Sequence, residues 1–126
     1  MTSVLVDTSV WVDHFRTGNR SLIALLERDA ALSHPMVLGE LACGTPPARS
    51  HTLSDLSLLQ QAHQASLSET MDFIEREKLY GLGCGLIDML LLASTLLTPN
   101  TRLWTLDRRL AGLADRFSVL YTPLIH

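Results

Sequence analysis

The 126-residue chain has little cysteine and no long hydrophobic run. Its two cysteines, Cys43 and Cys84, provide no disulfide framework, which favours a reducing cytoplasm. The longest apolar stretches, such as Met89 to Ala93, are far too short to span a membrane. Met1-Thr2-Ser3 leads into a predicted strand without a basic region, so no signal peptide is expected.

Charge is also sparse, at 18% of residues, and the net charge is −3. This balance argues against binding nucleic acid through bulk charge alone. However, Lys78 is the only lysine among ten basic residues, and arginine is the better phosphate ligand. Acidic side chains gathered at one site would also hold divalent cations and so reverse the local charge. A nucleic-acid substrate therefore remains open.

Predicted strands alternate with predicted helices along the chain. The strands are expected at residues 3–6, 30–33, 65–67, 103–105 and 118–121. The helices are expected from Thr8 or Ser9 to Arg16, over 21–28, from Pro35 through Leu41 with Gly44 as the stop, over 50–61, over 68–78 with Ser68 as the N-cap, over 86–97 and over 107–114. This alternation predicts one α/β domain over residues 1–126, with a parallel sheet covered on both faces.

Four of the thirteen acidic residues occupy apolar surroundings or the ends of predicted elements. Asp7 follows the apolar strand Val4-Leu5-Val6, and Asp107 comes just past another strand. Glu40 lies in an otherwise apolar helix, and Asp88 stands near the start of the most apolar one. Ligand sites in open α/β sheets lie at the carboxyl ends of the strands, where Asp7 and Asp107 are expected.

The grouping of these acids has a chemical consequence. An isolated buried carboxylate costs several kcal/mol or becomes protonated. Four converging carboxylates would repel one another unless a cation neutralised them, and oxygen ligands of this kind suit Mg²⁺ or Mn²⁺ and not zinc. Asp88, near a helix N-terminus, would also be favoured in its ionised form. The four acids therefore predict a metal site.

Each acid has a plainer interpretation that the sequence leaves open. Asp7 and Asp107 could simply cap the helices that they precede. Glu40 could face solvent at a helix edge, and Asp88 could be an ordinary first-turn charge. The coincidence of four such positions, two of them at strand ends, favours the metal site over these separate explanations.

Other candidate sites are weaker. Cys43 and Cys84 lack zinc-ligand spacing and are expected to be buried structural residues. His34 precedes Pro35 and is expected to shape the start of a helix. The glycines of residues 81–85 do not complete a dinucleotide fingerprint, because position 86 is leucine. Trp11 is expected in the core or in an interface.

Phosphoryl-acceptor proteins also place an aspartate after their first strand. Phosphatases of the haloacid dehalogenase type need a second aspartate two positions later, where this chain has Ser9. Both classes also need a lysine after a later strand, whereas Lys78 precedes the glycine-rich segment. The sequence therefore disfavours this interpretation.

Four segments of the chain resemble the motifs of PIN-domain ribonucleases, specifically the VapC-type toxins of bacterial toxin–antitoxin pairs. The first is Val4-Leu5-Val6-Asp7-Thr8-Ser9-Val10-Trp11-Val12-Asp13, and the second runs from His34 to Gly44. The third runs from Tyr80 through Asp88 to Ser94, and the fourth from Leu103 to Leu110. Each motif alone is weak, but together they cover nearly the whole chain in the right order.

The resemblance implies an α/β/α sandwich around a parallel sheet of four or five strands. It also implies an endoribonuclease dependent on Mg²⁺ or Mn²⁺, commonly a homodimer, which a cognate antitoxin holds inactive. The acidic quartet of the family falls on Asp7, Glu40, Asp88 and Asp107. The hydroxyl of its fourth motif falls on Thr105, which would orient an acidic ligand or metal-bound water.

The substrate contacts and one rival function stay open. Arg16, Arg108 and Arg109 are candidates for holding the RNA backbone, although surface arginines are often simply solvated. A catalytically silent interaction module would keep the same fold for binding a partner and use the acids only as caps. Carboxylate-dependent binding of Mn²⁺ distinguishes the two functions.

Overall fold

The structure, a computed structural model, describes residues 2–124; Met1 and residues 125–126, the ends of the predicted domain, lie outside the described residues. Ten elements follow one another along the chain: β1 (Ser3–Val6), α1 (Thr8–Thr17), α2 (Arg20–Glu27), β2 (Ala31–Leu32), α3 (Pro35–Ala42), α4 (Arg49–Ser57), α5 (Leu67–Glu77), α6 (Leu86–Leu97), β3 (Thr101–Trp104) and α7 (Arg108–Arg116). The predicted α/β class is confirmed, but the alternation is not strict, because four helices, α3 to α6, follow one another between β2 and β3.

The sheet is parallel and has the strand order β2-β1-β3. Leu5 pairs with Leu32 on one side and with Leu103 on the other, which places β1 at the centre. The side chain of Leu5 points to one face of the sheet, and those of Val4 and Val6 point to the other. All three are exposed by 1% or less. Both faces of the sheet are therefore covered, as the sequence predicted.

The prediction of four or five strands is wrong, because the described residues form three. Residues 65–67 are not a strand, since Ser66 caps a helix and Leu67 begins it. Beside β2, the described residues extend the sheet only by a single bridge between Ser33 and Gln61. At the other edge, residues 118–121 contribute only the bridge of Leu120 to Leu103.

The helices match the predictions where the sequence pattern was strongest. Helix α6 spans Leu86–Leu97 as predicted, and its central residues from Met89 to Thr95 are buried. Helix α4 ends at Ser57, four residues earlier than predicted. The N-cap of α5 is Ser66 and not Ser68, because Ser66 and Glu69 form a reciprocal capping box.

The prediction for Trp11 is confirmed, and the prediction for the two cysteines is wrong. Trp11 is 3% exposed and belongs to the core, as expected. The cysteines are not buried as predicted: Cys43 is exposed at the end of α3 and Cys84 is partly exposed. Within residues 2–124, no helix is both long and apolar enough to cross a membrane.

His34 is a buried junction between three segments. Its Nδ1 accepts a hydrogen bond from the Met36 N–H at 3.1 Å, which caps α3. The ring proton therefore belongs on Nε2, which lies 3.1 Å from Ser94 Oγ in α6. Ser94 Oγ also accepts from the Ala65 N–H at 3.0 Å. The predicted role of His34 at the start of a helix is confirmed.

This junction makes stability depend on pH. Burial lowers the pKa of His34 below its ordinary value of 6.5. The unfolded chain then binds a proton more readily than the folded protein, so stability is full above about pH 6.5 and falls as the pH falls below it. Urea unfolding between pH 5 and 8 should show this loss. His34→Asn, which keeps a capping oxygen, should remove that part of the slope; an unchanged slope would contradict the assignment.

Candidate metal and active site

Asp7 lies directly after β1 and is 6% exposed. Its Oδ2 accepts two short hydrogen bonds, from Ser9 Oγ at 2.6 Å and from Thr105 Oγ1 at 2.7 Å. A longer one comes from the Ser9 N–H at 3.4 Å, and Asp7 is thereby the N-cap of α1. The capping interpretation is therefore correct for one oxygen of this carboxylate. Within residues 2–124, Oδ1 accepts no hydrogen bond.

The two hydroxyl groups connect Asp7 to the end of the neighbouring strand. Ser9 Oγ accepts from the Leu106 N–H at 3.0 Å, and Thr105 Oγ1 accepts from the Asp107 N–H at 3.0 Å. The carboxylate of Asp7 is thus held by residues more than ninety positions away in the sequence. Thr105 was predicted to belong to the site, but Ser9 was not, because a serine two positions after a cap is a common local pattern.

Glu40 lies in the last turn of α3 and is exposed, as its plainer interpretation expected, although its neighbours in the sequence are apolar. Thr8 Oγ1 in α1 donates to Glu40 Oε1 at 2.6 Å. Helices α1 and α3 pack against each other, which brings this pair together. Thr8 was likewise missed from sequence, since its partner is 32 residues away.

Asp88 occupies the first turn of α6, where its Oδ2 accepts from the Gly85 N–H at 3.4 Å. Burial raises the pKa of Asp88, and the negative charges of Asp7, Asp107 and Glu40 raise it further; the Gly85 N–H acts in the opposite direction. The three other acidic side chains predicted from sequence therefore all lie close enough to Asp88 to disfavour its ionised form.

Asp107 is the N-cap of α7 and is exposed. Its Oδ1 accepts from the N–H groups of Arg109 at 2.9 Å and Leu110 at 3.0 Å. The capping interpretation is again correct for one oxygen. Oδ2 receives no hydrogen bond from the part of the chain that the structure describes.

The four carboxylates share one feature. In each, one oxygen is engaged in the local fold: Oδ2 of Asp7, Oε1 of Glu40, Oδ2 of Asp88 and Oδ1 of Asp107. Over residues 2–124, the second oxygen of each accepts no hydrogen bond, and no arginine, lysine or histidine forms an ion pair with any of them. Capping and metal binding are therefore compatible, because they use different oxygens.

The donor set suits a hard divalent cation. It consists of carboxylate oxygens, which Mg²⁺ and Mn²⁺ prefer. Burial, reinforced by the charges of Asp88 and Asp107, raises the pKa of the neighbouring Cys84 thiol. In residues 2–124, no three Asp, Glu, His or Cys side chains have the spacing of a ready-made metal site. The acids thus fit the cation by chemistry, and their side chains would need to move to contact one ion.

The three candidate arginines lie in different surroundings. Arg16 and Glu40 line the same cleft of about 390 Å³ between α1 and the end of α3, together with the apolar side chains of Val12 and Phe15. Arg108 is exposed at the start of α7. Arg109 instead folds over the backbone of Gly83. The three candidates therefore differ in what their side chains contact.

Comparison with known proteins identifies the fold family. The PIN domain family model matches residues 4–116, so the chain belongs to the PIN-domain family. Two relatives, both named Ribonuclease VapC32, come from Mycobacterium tuberculosis strains CDC 1551 / Oshkosh and ATCC 25618 / H37Rv. Each is 41% identical to this chain over 107 residues, which is 85% of this chain and 86% of the relative. The resemblance to VapC-type PIN domains is thereby confirmed.

Proposed function

We propose that residues 1–126 form a single PIN-type domain that acts as a Mg²⁺-dependent endoribonuclease, with Mn²⁺ as a possible substitute. The observation that carries this proposal is the gathering of three further carboxylates around Asp88, with one oxygen of each of the four left without a hydrogen bond from residues 2–124. The ribonuclease names of the two relatives support RNA as the substrate.

The four acids would bind the metal ion, and Thr105 would orient one of them. Asp7 and Asp88 would hold the ion directly, and Glu40 and Asp107 directly or through water. A bound ion would neutralise the carboxylates, activate water and stabilise charge on the scissile phosphate. Thr105 orients Asp7, since its hydroxyl donates to Oδ2 and leaves Oδ1 for the cation.

The biological setting follows from the same relatives. We propose that the protein is the toxin of a toxin–antitoxin pair, with a cognate antitoxin protein as its inhibitor. We further propose a homodimer that acts in the cytoplasm. The VapC name of both relatives, at 41% identity over most of each chain, supports the toxin assignment.

One rival function has a specific observation in its favour. Asp7 and Asp107 do cap helices, as a catalytically silent interaction module would require. Helix caps, however, explain neither the exposed, hydroxyl-bonded Glu40 nor the unfavourable grouping of three further charges around Asp88. The ribonuclease is therefore the better supported function.

The direct test is cleavage of RNA by the purified protein. Mg²⁺ or Mn²⁺ should produce discrete cleavage products, and EDTA should abolish them. Sequencing the RNA ends after induced expression would then identify the cleaved sites. Cleavage that persists in EDTA, or none with either metal on cellular RNA, would contradict the proposal.

A further inference from the structure

Arg109 folds back from α7 onto the segment that joins α5 to α6, which we name the glycine loop (residues 80–85). A β-carbon at Gly83 would lie 2.8 Å from Arg109 Cδ, closer than real β-carbon contacts. Gly83 also has a φ of +89°, in the region that favours glycine. The backbone conformation therefore favours glycine at position 83, and a β-carbon there would push the flexible end of the Arg109 side chain aside.

The contact adds a second anchor to the glycine loop, whose Cys84 side chain packs against the hydrophobic core. Arg109 Nη1 donates to Gly83 O at 3.4 Å, a long and weak hydrogen bond. Within residues 2–124, it is the only hydrogen bond that joins residues 80–84 to another part of the chain. Tyr80 and Leu82 are 59% and 44% exposed, so their side chains hold the loop only weakly. Packing of the arginine stem on Gly83 thus restricts the loop.

The glycine loop leads directly to the third acid of the site. Gly85 is the N-cap of α6, and its N–H donates to Asp88 Oδ2 at 3.4 Å. Displacement of the loop would therefore displace a donor to the Asp88 carboxylate. The backbone N–H of Arg109 donates to Asp107 Oδ1 at 2.9 Å. One residue thus contacts the fourth acid through its backbone and the segment before the third through its side chain.

We propose that Arg109 is a positioning residue that clamps the glycine loop and so sets the placement of Asp88 relative to Asp107. This inference rests on the metal site proposed above. It gives Arg109 a role that does not depend on RNA, because its guanidinium contacts a carbonyl oxygen of its own chain.

The direction in which Arg109→Ala changes the affinity for a cation distinguishes the clamp from simple electrostatics. Removing a positive charge beside the acids would strengthen cation binding by Coulomb's law. Loss of the clamp would weaken it, and supporting residues of metal sites typically contribute tenfold or more to affinity. Arg109→Ala should therefore weaken Mn²⁺ binding about tenfold. Arg108→Ala, the matched loss of charge at the neighbouring position, should not weaken it.

A pair of glycine variants isolates the packing contact. Gly81 and Gly83 both have positive φ, +74° and +89°, but a β-carbon at Gly81 would meet nothing within 4 Å. Gly83→Ala should therefore weaken Mn²⁺ binding and speed amide hydrogen exchange over residues 80–88 more than Gly81→Ala does. In the Arg109→Ala background this difference should shrink, because the colliding side chain is gone.

Several results would overturn the clamp. Equal effects of the two alanines in the wild-type background would do so, as would tighter Mn²⁺ binding by Arg109→Ala. A raised KM for RNA with unchanged loop exchange and Mn²⁺ affinity would make Arg109 an RNA ligand instead. If the wild-type protein bound no Mn²⁺, the proposed metal site would fail, and hydrogen exchange in the glycine variants would decide the clamp separately.

Discussion

Asp88→Asn is expected to abolish RNA cleavage while raising the thermal stability of the metal-free protein. Burial and the neighbouring carboxylates raise the pKa of Asp88, so its ionised form is less favourable in the folded protein than in the unfolded chain. At neutral pH this difference lowers stability, and a neutral amide removes it. The same change removes a proposed metal ligand, and the rate should fall about a hundredfold or more.

The two effects are measured separately. Thermal unfolding in EDTA should give a higher Tm for Asp88→Asn than for the wild type, whereas cleavage in Mg²⁺ should be lost. Asp72→Asn, at an exposed position of α5, is the matched control for loss of one negative charge. It should retain cleavage. A less stable Asp88→Asn protein, or one that cleaves at the wild-type rate, would contradict the assignment.

Asp7 is expected to respond differently to asparagine and to alanine. In Asp7→Asn, the amide oxygen can still accept from Ser9 and Thr105, while the amide nitrogen replaces the oxygen left for the cation. Stability should then change little, but cleavage should fall about a hundredfold or more. Asp7→Ala also removes the helix cap and leaves the hydroxyls of Ser9 and Thr105 without their acceptor. This loss should lower the free energy of unfolding by about 1–3 kcal/mol.

This comparison separates capping from metal binding at the same position. Denaturant unfolding gives the stability of each variant, and cleavage of a defined RNA in Mg²⁺ gives its activity. If Asp7 were only a helix cap, Asp7→Asn would cleave RNA at the wild-type rate. The metal-ligand assignment requires both variants to be inactive and only the alanine variant to be unstable.

The parts of the fold that the sequence predicted are those with strong local patterns. The apolar run before Asp7 predicted the central strand, and α6 was predicted at Leu86–Leu97 because most of its residues are apolar. The sheet edges were not predictable, since Gln61 and Leu120 each join by a single bridge that depends on a tertiary partner. The start of α5 was misplaced, although Ser66 and Glu69 have capping-box spacing in the sequence.

The candidate site was predictable in its acids and not in their supports. Strand ends and apolar surroundings pointed to all four carboxylates, although Glu40 and Asp107 turn out to be exposed. The hydroxyl of Thr8 and the packing of Arg109 on Gly83 could not be read from sequence. These contacts join residues that are 32 and 26 positions apart, and neither residue type marks its partner.

Calorimetric titration of the metal-free protein with Mn²⁺ tests the central claim most directly, because it measures cation binding without an RNA substrate. The wild-type protein should bind Mn²⁺, whereas Asp7→Asn and Asp88→Asn should each lose most of that affinity and Asp72→Asn should keep it. Binding of Mn²⁺ with the same affinity by all four proteins, or by none of them, would contradict a carboxylate metal site.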